Sequence, residues 1–410
     1  MVSSDTYVCA DCVEDYALQK VVRDNLNSKT CDYCDETSES DLIACSLEHV
    51  TDHIERCLRR VYTDPAEVLP YDSREGGYQL GTIWYSRDLF SEVGLEIENE
   101  QLIEDIISFF DFVEWAKENW QILSPDERAK SGWGKFKHTV KHTRRFTFWS
   151  AEDDSEEDWH PDHWPIGNTL EEVASFIRNA ELIKTIPLGY PFWRVRVHSE
   201  SKELKMDKDL ASPPLSSAIQ TNRMSPAGIS MFYGAEDYLT ACVETLDSKR
   251  TKGKAITGGY FRNTVPLNLL DLDALPFVPS FFDIERFELR YHLIFLHEFV
   301  KDLSAPIERD DRVHIEYVPT QAFTEYVRWE MQNKAGELIH GICYPSSKND
   351  RKCYVLFCGH DQCIQQPASK AWMDIPKWLE LDATSLRREK CSEVLRQLRE
   401  QSTGDSELFL

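Results

Sequence analysis

Between Leu47 and Val61 the apolar residues Leu47, Val50, Ile54, Leu58 and Val61 recur with charged residues between them. Spacings of three and four predict an amphipathic helix. A second run, Asn99 to Trp120, places Leu102, Ile103, Ile106, Ile107, Phe110, Val113 and Trp115 close to one broad face, and Ser124-Pro125 breaks it. A third helix is expected from Thr169-Leu-Glu-Glu172, which has the form of a capping box, through Ile177 to about Ile183. Residues 41–180 therefore read as mainly helical. After Pro187 the pattern changes to short β-rich runs, Phe192–Val197, Ile229–Tyr233 and Tyr354–Phe357, separated by helical stretches at Asp237–Leu246 and Thr320–Gln332. This is an α+β pattern with a domain boundary near residue 185.

Composition narrows the function classes. The 410 residues exceed one ordinary domain of about 100–200 residues. With 41% hydrophobic and 11% aromatic residues, the chain can bury enough surface to be globular. Lys plus Arg is 46 and Asp plus Glu is 71, a net charge of −25, so the surface as a whole repels phosphate backbones and anionic lipid heads. The opening MVSSDTYVCADC lacks a basic region followed by an apolar one, and no later stretch has the roughly 18 apolar residues of a membrane span. A cytoplasmic location without membrane attachment is expected. The run Lys135–Trp149 interleaves basic and aromatic residues, a combination that can grip single-stranded nucleic acid. The overall charge favours a different reading, a solvated basic face paired with the acidic run Glu152–Asp158.

Among the 12 cysteines, Cys9, Cys12, Cys31 and Cys34 form two C-x2-C pairs. Each pair puts two thiolates on one tight turn, and two such knuckles complete the tetrahedral shell that zinc takes from sulfur. A four-sulfur shell leaves no open position, so the expectation is a structural zinc in residues 1–40.

Standard catalytic signatures are missing. There is no phosphate-binding G-x-x-x-x-G-K-[ST] loop, no G-x-G-x-x-G, no H-E-x-x-H and no G-x-S-x-G. What remains is a set of polar residues in strands and tight turns. Phe192-Trp-Arg-Val-Arg-Val197 puts Arg194 and Arg196 on one side of a strand, and Arg223 lies in a turn ahead of the strand ending at Tyr233. Glu244 follows on a helix; Tyr317-Val-Pro-Thr-Gln321 precedes another; Gly341-Ile-Cys-Tyr-Pro-Ser346-Ser347 precedes a terminal β segment.

In this order the segments resemble the RES family, named for an Arg, a Glu and a Ser, whose characterised members degrade NAD⁺ and often serve as bacterial toxins. The resemblance covers about residues 185–370. It implies an ADP-ribosyltransferase-like fold, which binds NAD⁺ without a G-x-G-x-x-G fingerprint. It carries Glu244, Arg223 and Ser346 over as catalytic residues, and Arg194, Arg223, Tyr233 and Gln321 as NAD⁺-binding ones. Residues 41–184 resemble the helical N-terminal domains that accompany some RES proteins and are grouped with the HEPN superfamily. The Arg and His that its ribonucleases carry four to six residues apart on a helix are missing from residues 41–180. Residues 371–410 read as a helical extension.

The reaction the resemblance implies is cleavage of the nicotinamide–ribose bond, with water or phosphate as acceptor. Glu244 would face the cationic ribose carbon, the arginines would clamp the pyrophosphate, and an antitoxin or the N-terminal region would restrain the enzyme. Two other readings stay open: transfer of ADP-ribose to a protein, and a zinc-containing nucleic-acid-binding protein with an inactive RES domain.

Overall fold

A computed structural model of the protein describes residues 6–150, 162, 164–247, 251–305, 312–364 and 376–402. The chain divides into two compact units. The first comprises residues 1–128, 160–162 and 277–294, and the second comprises 129–159, 163–276 and 295–410. Among the described residues no helix is long and apolar enough to cross a membrane.

In the first unit, helix Leu47–Leu58 buries Leu47, Val50, Ile54 and Leu58, as its spacing requires. They share a core with Leu18 and Val22 of helix Tyr16–Asp24, with Leu102 and Ile106, and with Phe281, Phe282 and Phe287. The run from Asn99 is not one helix. Asn99 caps a helix at Glu100–Ser108, its Oδ1 accepting from the Leu102 N–H at 3.0 Å. The chain then becomes strand Glu114–Lys117, the centre of a three-stranded sheet between Tyr62–Thr63 and Ile83–Tyr85. Trp115, fully buried and donating from Nε1 to Ser86 Oγ at 3.0 Å, belongs to this sheet. Strand pairing with distant residues overrode a local period that suits either element. Residues 41–180 thus hold small sheets among their helices.

The helix from Thr169 ends at Asn179, and Ile183–Ile186 is a strand. No capping box forms. Asn168 is the cap residue, Thr169 lies in the first turn, and its hydroxyl faces the Pro165 carbonyl at 3.5 Å. On helix Pro125–His142, Lys137 pairs with Asp302 at 2.8 Å and Lys141 with Glu316 at 2.6 Å. The basic face therefore meets carboxylates of the second unit's own helices; the acidic run 152–158 lies outside the described residues.

The second unit is built on a nine-stranded sheet. Its strands are β1 (Ile183–Ile186), β2 (Pro191–Ser199), β3 (Phe232–Ala235), β4 (Lys254–Asn263), β5 (Leu267–Asp271), β6 (Gly341–Pro345), β7 (Lys352–Leu356), β8 (Leu379–Leu381) and β9 (Arg387–Lys390). The order is β8-β4-β2-β3-β7-β6-β5-β1, with β9 also on β4. Only β5 and β6 run parallel. β4 pairs with β2 along its length, whereas β3 meets β2 at a single pair, Ala235 with Trp193. Beyond that pair β2 and β3 part and leave a fork. Helices α1 (Tyr238–Thr245) and α2 (Val318–Trp329) belong to this unit.

Candidate active site and metal centre

Directly paired residues of neighbouring strands share a face. Ala235 pairs with Cys353, and Cys353 with Tyr344; Tyr233, two residues before Ala235, lies on the same face. α1 packs on this face, with Tyr238, Ala241 and Cys242 in one cluster with Val195, Ala235 and Cys353 and with Tyr344 against them. The helix starts where the Asp237 carboxylate caps the Thr240 N–H at 2.8 Å. That start brings Glu244 to its C-terminal end, beside the turn that follows β6. Ser346, 1% exposed in that turn, donates its hydroxyl to Glu244 Oε1 and accepts from the Lys348 N–H at 3.2 Å.

Tyr344, two residues before Ser346, is half-buried beside this pair. Burial pushes its phenol well above the usual range, and Cys353, Glu244 and Tyr233 push it further, while Arg223 opposes them. The Tyr344 hydroxyl is thus held protonated. Burial likewise raises Tyr233 to about 12. The Tyr233 hydroxyl is 2.9 Å from Ser225 Oγ, in the tight turn that carries Arg223.

Arg223 donates to the Leu303 carbonyl. Its turn is braced from α2, where Gln321 Nε2 donates to Thr221 Oγ1 and to the Asn222 carbonyl, both at 2.8 Å. Tyr317-Val-Pro-Thr-Gln321 does not precede this helix but forms its cap and first turn.

Arg194 stands apart from the Glu244 pair. Next to Trp193 on β2, it faces the other side of the sheet, its guanidinium 4.9 Å from the Phe232 ring centre. There it spans the fork and donates from Nη1 to the Tyr233 carbonyl at 2.6 Å, an acceptor that β2 no longer reaches through its backbone. Its Nε is sealed from solvent with no hydrogen-bond partner among the described residues. Burial lowers the guanidinium to about 10, and Arg196 adds to the effect. Arg196 itself donates to the Ala211 carbonyl at 3.2 Å.

Of the residues singled out, Glu244 and Ser346 meet directly, Tyr233 bonds to the turn that carries Arg223, Gln321 braces that turn, and Arg194 lies on the other face of the sheet. Tyr344 stands in the Gly341–Ser347 motif, where the sequence gives it no role, and Lys348 follows directly after that motif.

In the first unit, strand Tyr7–Cys9 pairs with Ala44–Ser46 and leads into a 3-10 turn at Ala10–Cys12. Cys9, Cys12, Cys31 and Cys34 gather there, with all four sulfurs within 4.8 Å of one another. Adjacent Sγ atoms are 3.6 Å apart for Cys9–Cys12 and Cys9–Cys34 and 3.7 Å for Cys12–Cys31. The Cys9 N–H points at Cys31 Sγ at 3.3 Å. The group can hold a metal ion.

Against known families, residues 24–154 match the HEPN/RES N-terminal domain 1 and residues 191–378 match the RES domain. The chain is a RES-domain protein with a HEPN/RES N-terminal domain. Every residue of the Glu244 site, from Arg194 to Lys348, lies within the RES match, while Cys9 and Cys12 precede the N-terminal one. No curated protein and no solved structure matches the chain significantly.

Proposed function

We propose that the RES domain breaks the nicotinamide–ribose bond of NAD⁺, releasing nicotinamide and passing ADP-ribose to water or inorganic phosphate. The observation that carries this reading is the Glu244 carboxylate, fixed by the buried Ser346 hydroxyl at the end of α1. As the bond lengthens, positive charge develops on the ribose carbon, and a carboxylate already oriented there stabilises it without reorganising. Nicotinamide leaves as a neutral ring, so no strong acid is needed. With water as acceptor, oxygen bonds to the ribose carbon as the C–N electron pair departs with nicotinamide, and one proton is released. Arg223, with three guanidinium nitrogens to share, can turn its remaining N–H groups to the pyrophosphate. Arg194, sealed on the other face of the sheet, supports the site from behind by tying β2 to the Tyr233 carbonyl, and Gln321 keeps the Arg223 turn in place. The parted strands β2 and β3 are consistent with an ADP-ribosyltransferase-like fold.

The cysteine cluster fits a structural zinc. Tetrahedral bonds of about 2.3 Å put sulfurs ~3.8 Å apart, close to the separations observed. Burial pushes the Cys9 thiol up to about 11 and raises Cys12 as well. A cation is what makes such sulfurs thiolates. The N-terminal domain would then restrain a reaction that endangers its own cell, as part of a toxin or defence effector. Incubating the protein with NAD⁺ and identifying the products by mass spectrometry tests the catalytic reading. NAD⁺ left intact would contradict it.

A further inference from the structure

The turn after β6 reaches back to α1 at three points. Ser346 meets Glu244, Lys348 Nζ donates to the Val243 carbonyl at 2.5 Å, and Asn349 Nδ2 donates to Thr240 Oγ1 at 3.1 Å. α1 has only eight residues, and the last four carbonyls of a helix lack intrahelical partners. Val243 supplies one of these. A lysine ammonium there also meets the negative end of the helix dipole.

The consequence falls on Glu244. Its backbone nitrogen belongs to the same peptide group as the Val243 carbonyl, so a partner on that oxygen fixes the plane from which the Glu244 side chain departs. Lys348 holds the other member of the pair too, because its N–H donates to Ser346 Oγ at 3.2 Å. With that N–H on its oxygen, the Ser346 hydroxyl directs its own proton to Glu244. One residue thus fixes both the carboxylate's backbone and the donor that orients the carboxylate.

We propose that the Lys348 side chain is a positioning group for Glu244, acting through the Val243 carbonyl without touching the substrate, while the Lys348 backbone N–H aims the Ser346 hydroxyl whatever the side chain. The proposal rests on Glu244 being the carboxylate at the reacting ribose carbon. Loss of the ammonium then lowers turnover and leaves dinucleotide binding nearly intact, and arginine, which keeps a donor and a charge at that place, restores most of the rate.

The test uses the full chain as wild type, Lys348→Met and Lys348→Arg, with kcat and KM for NAD⁺ measured beside backbone hydrogen exchange over residues 238–245. The expected result for Lys348→Met is a kcat lowered roughly tenfold, a KM within about twofold of wild type, and faster exchange at the end of α1. Lys348→Arg should return both readouts most of the way. In a Glu244→Gln background, Lys348→Met should cost little further rate, because groups that act as a unit are not additive. Unchanged exchange in Lys348→Met, or an equal loss of rate with and without Glu244, overturns the proposal. If wild type leaves NAD⁺ intact, the proposed reaction fails, and the exchange comparison still reads whether Lys348 holds the end of α1.

Discussion

Replacing Ser346 with Ala removes one hydroxyl from the centre of the site. Ser346 is 1% exposed, its Oγ donates to Glu244, and the same oxygen accepts from the Lys348 N–H at 3.2 Å. A hydrogen bond to a charged group contributes about 1.5–3 kcal/mol. Glu244 is only half-buried, so water replaces part of the loss and the folded protein loses less than that lower end. We expect Ser346→Ala to lose about 1 kcal/mol of stability, a fall in Tm of about 2–4 °C. The effect on the reaction is larger, because the hydroxyl fixes the carboxylate where charge develops. A loss of about 1.5–3 kcal/mol in the transition state is roughly 10–100-fold in kcat/KM. Initial rates of nicotinamide release by Ser346→Ala, Glu244→Gln and the double variant measure it. The double variant should be little worse than Glu244→Gln alone. A Ser346→Ala protein within about twofold of wild-type kcat/KM would refute the reasoning.

Tyr344→Phe keeps the ring against the α1 cluster and removes only a hydroxyl held protonated beside Glu244; kcat/KM should fall roughly tenfold while the melting temperature stays close to wild type. Elemental analysis should find about one zinc per chain, lost with Cys31→Ser, and chelation should unfold the segment around Cys9–Cys34 as read by hydrogen exchange. Burial lowers His53, His292 and His340 below the ordinary value of 6.5. The unfolded chain then binds more protons than the folded one just below pH 6.5, so their contribution to stability is full above that pH and is lost as pH falls toward the folded values. Denaturant midpoints should drop between about pH 7 and 5, and His53→Gln should flatten the slope.

The site was legible in the sequence to the extent that its chemistry is written in short motifs. Glu244 with Ser346, and Arg223 with Tyr233, sit on segments whose resemblance to the RES family suggested that they share a site, and the two C-x2-C pairs form one four-sulfur cluster because each knuckle is a local turn. What escaped depends on pairing between distant segments. Arg194 and Arg196 share a strand side, but nothing in Phe192–Val197 says that β3 leaves β2 after Trp193 and opens a fork for them. The apolar spacing through Trp115 suits a helix, and only the strands at Tyr62 and Ile83 make it a sheet. Thr169 and Glu172 have the spacing of a capping box, yet the chain enters that helix one residue earlier, through Asn168. Lys348 has meaning only once α1 ends beside it.

The most direct test of the central claim is to incubate the purified full-length protein with NAD⁺, with and without inorganic phosphate, beside Glu244→Ala and Arg223→Ala, and to identify the products by mass spectrometry. The account predicts that wild type yields nicotinamide together with ADP-ribose or its phosphorylated form, that Glu244→Ala yields neither, and that Arg223→Ala is strongly slowed. NAD⁺ consumed equally by wild type and Glu244→Ala, or by none of the proteins, would contradict it.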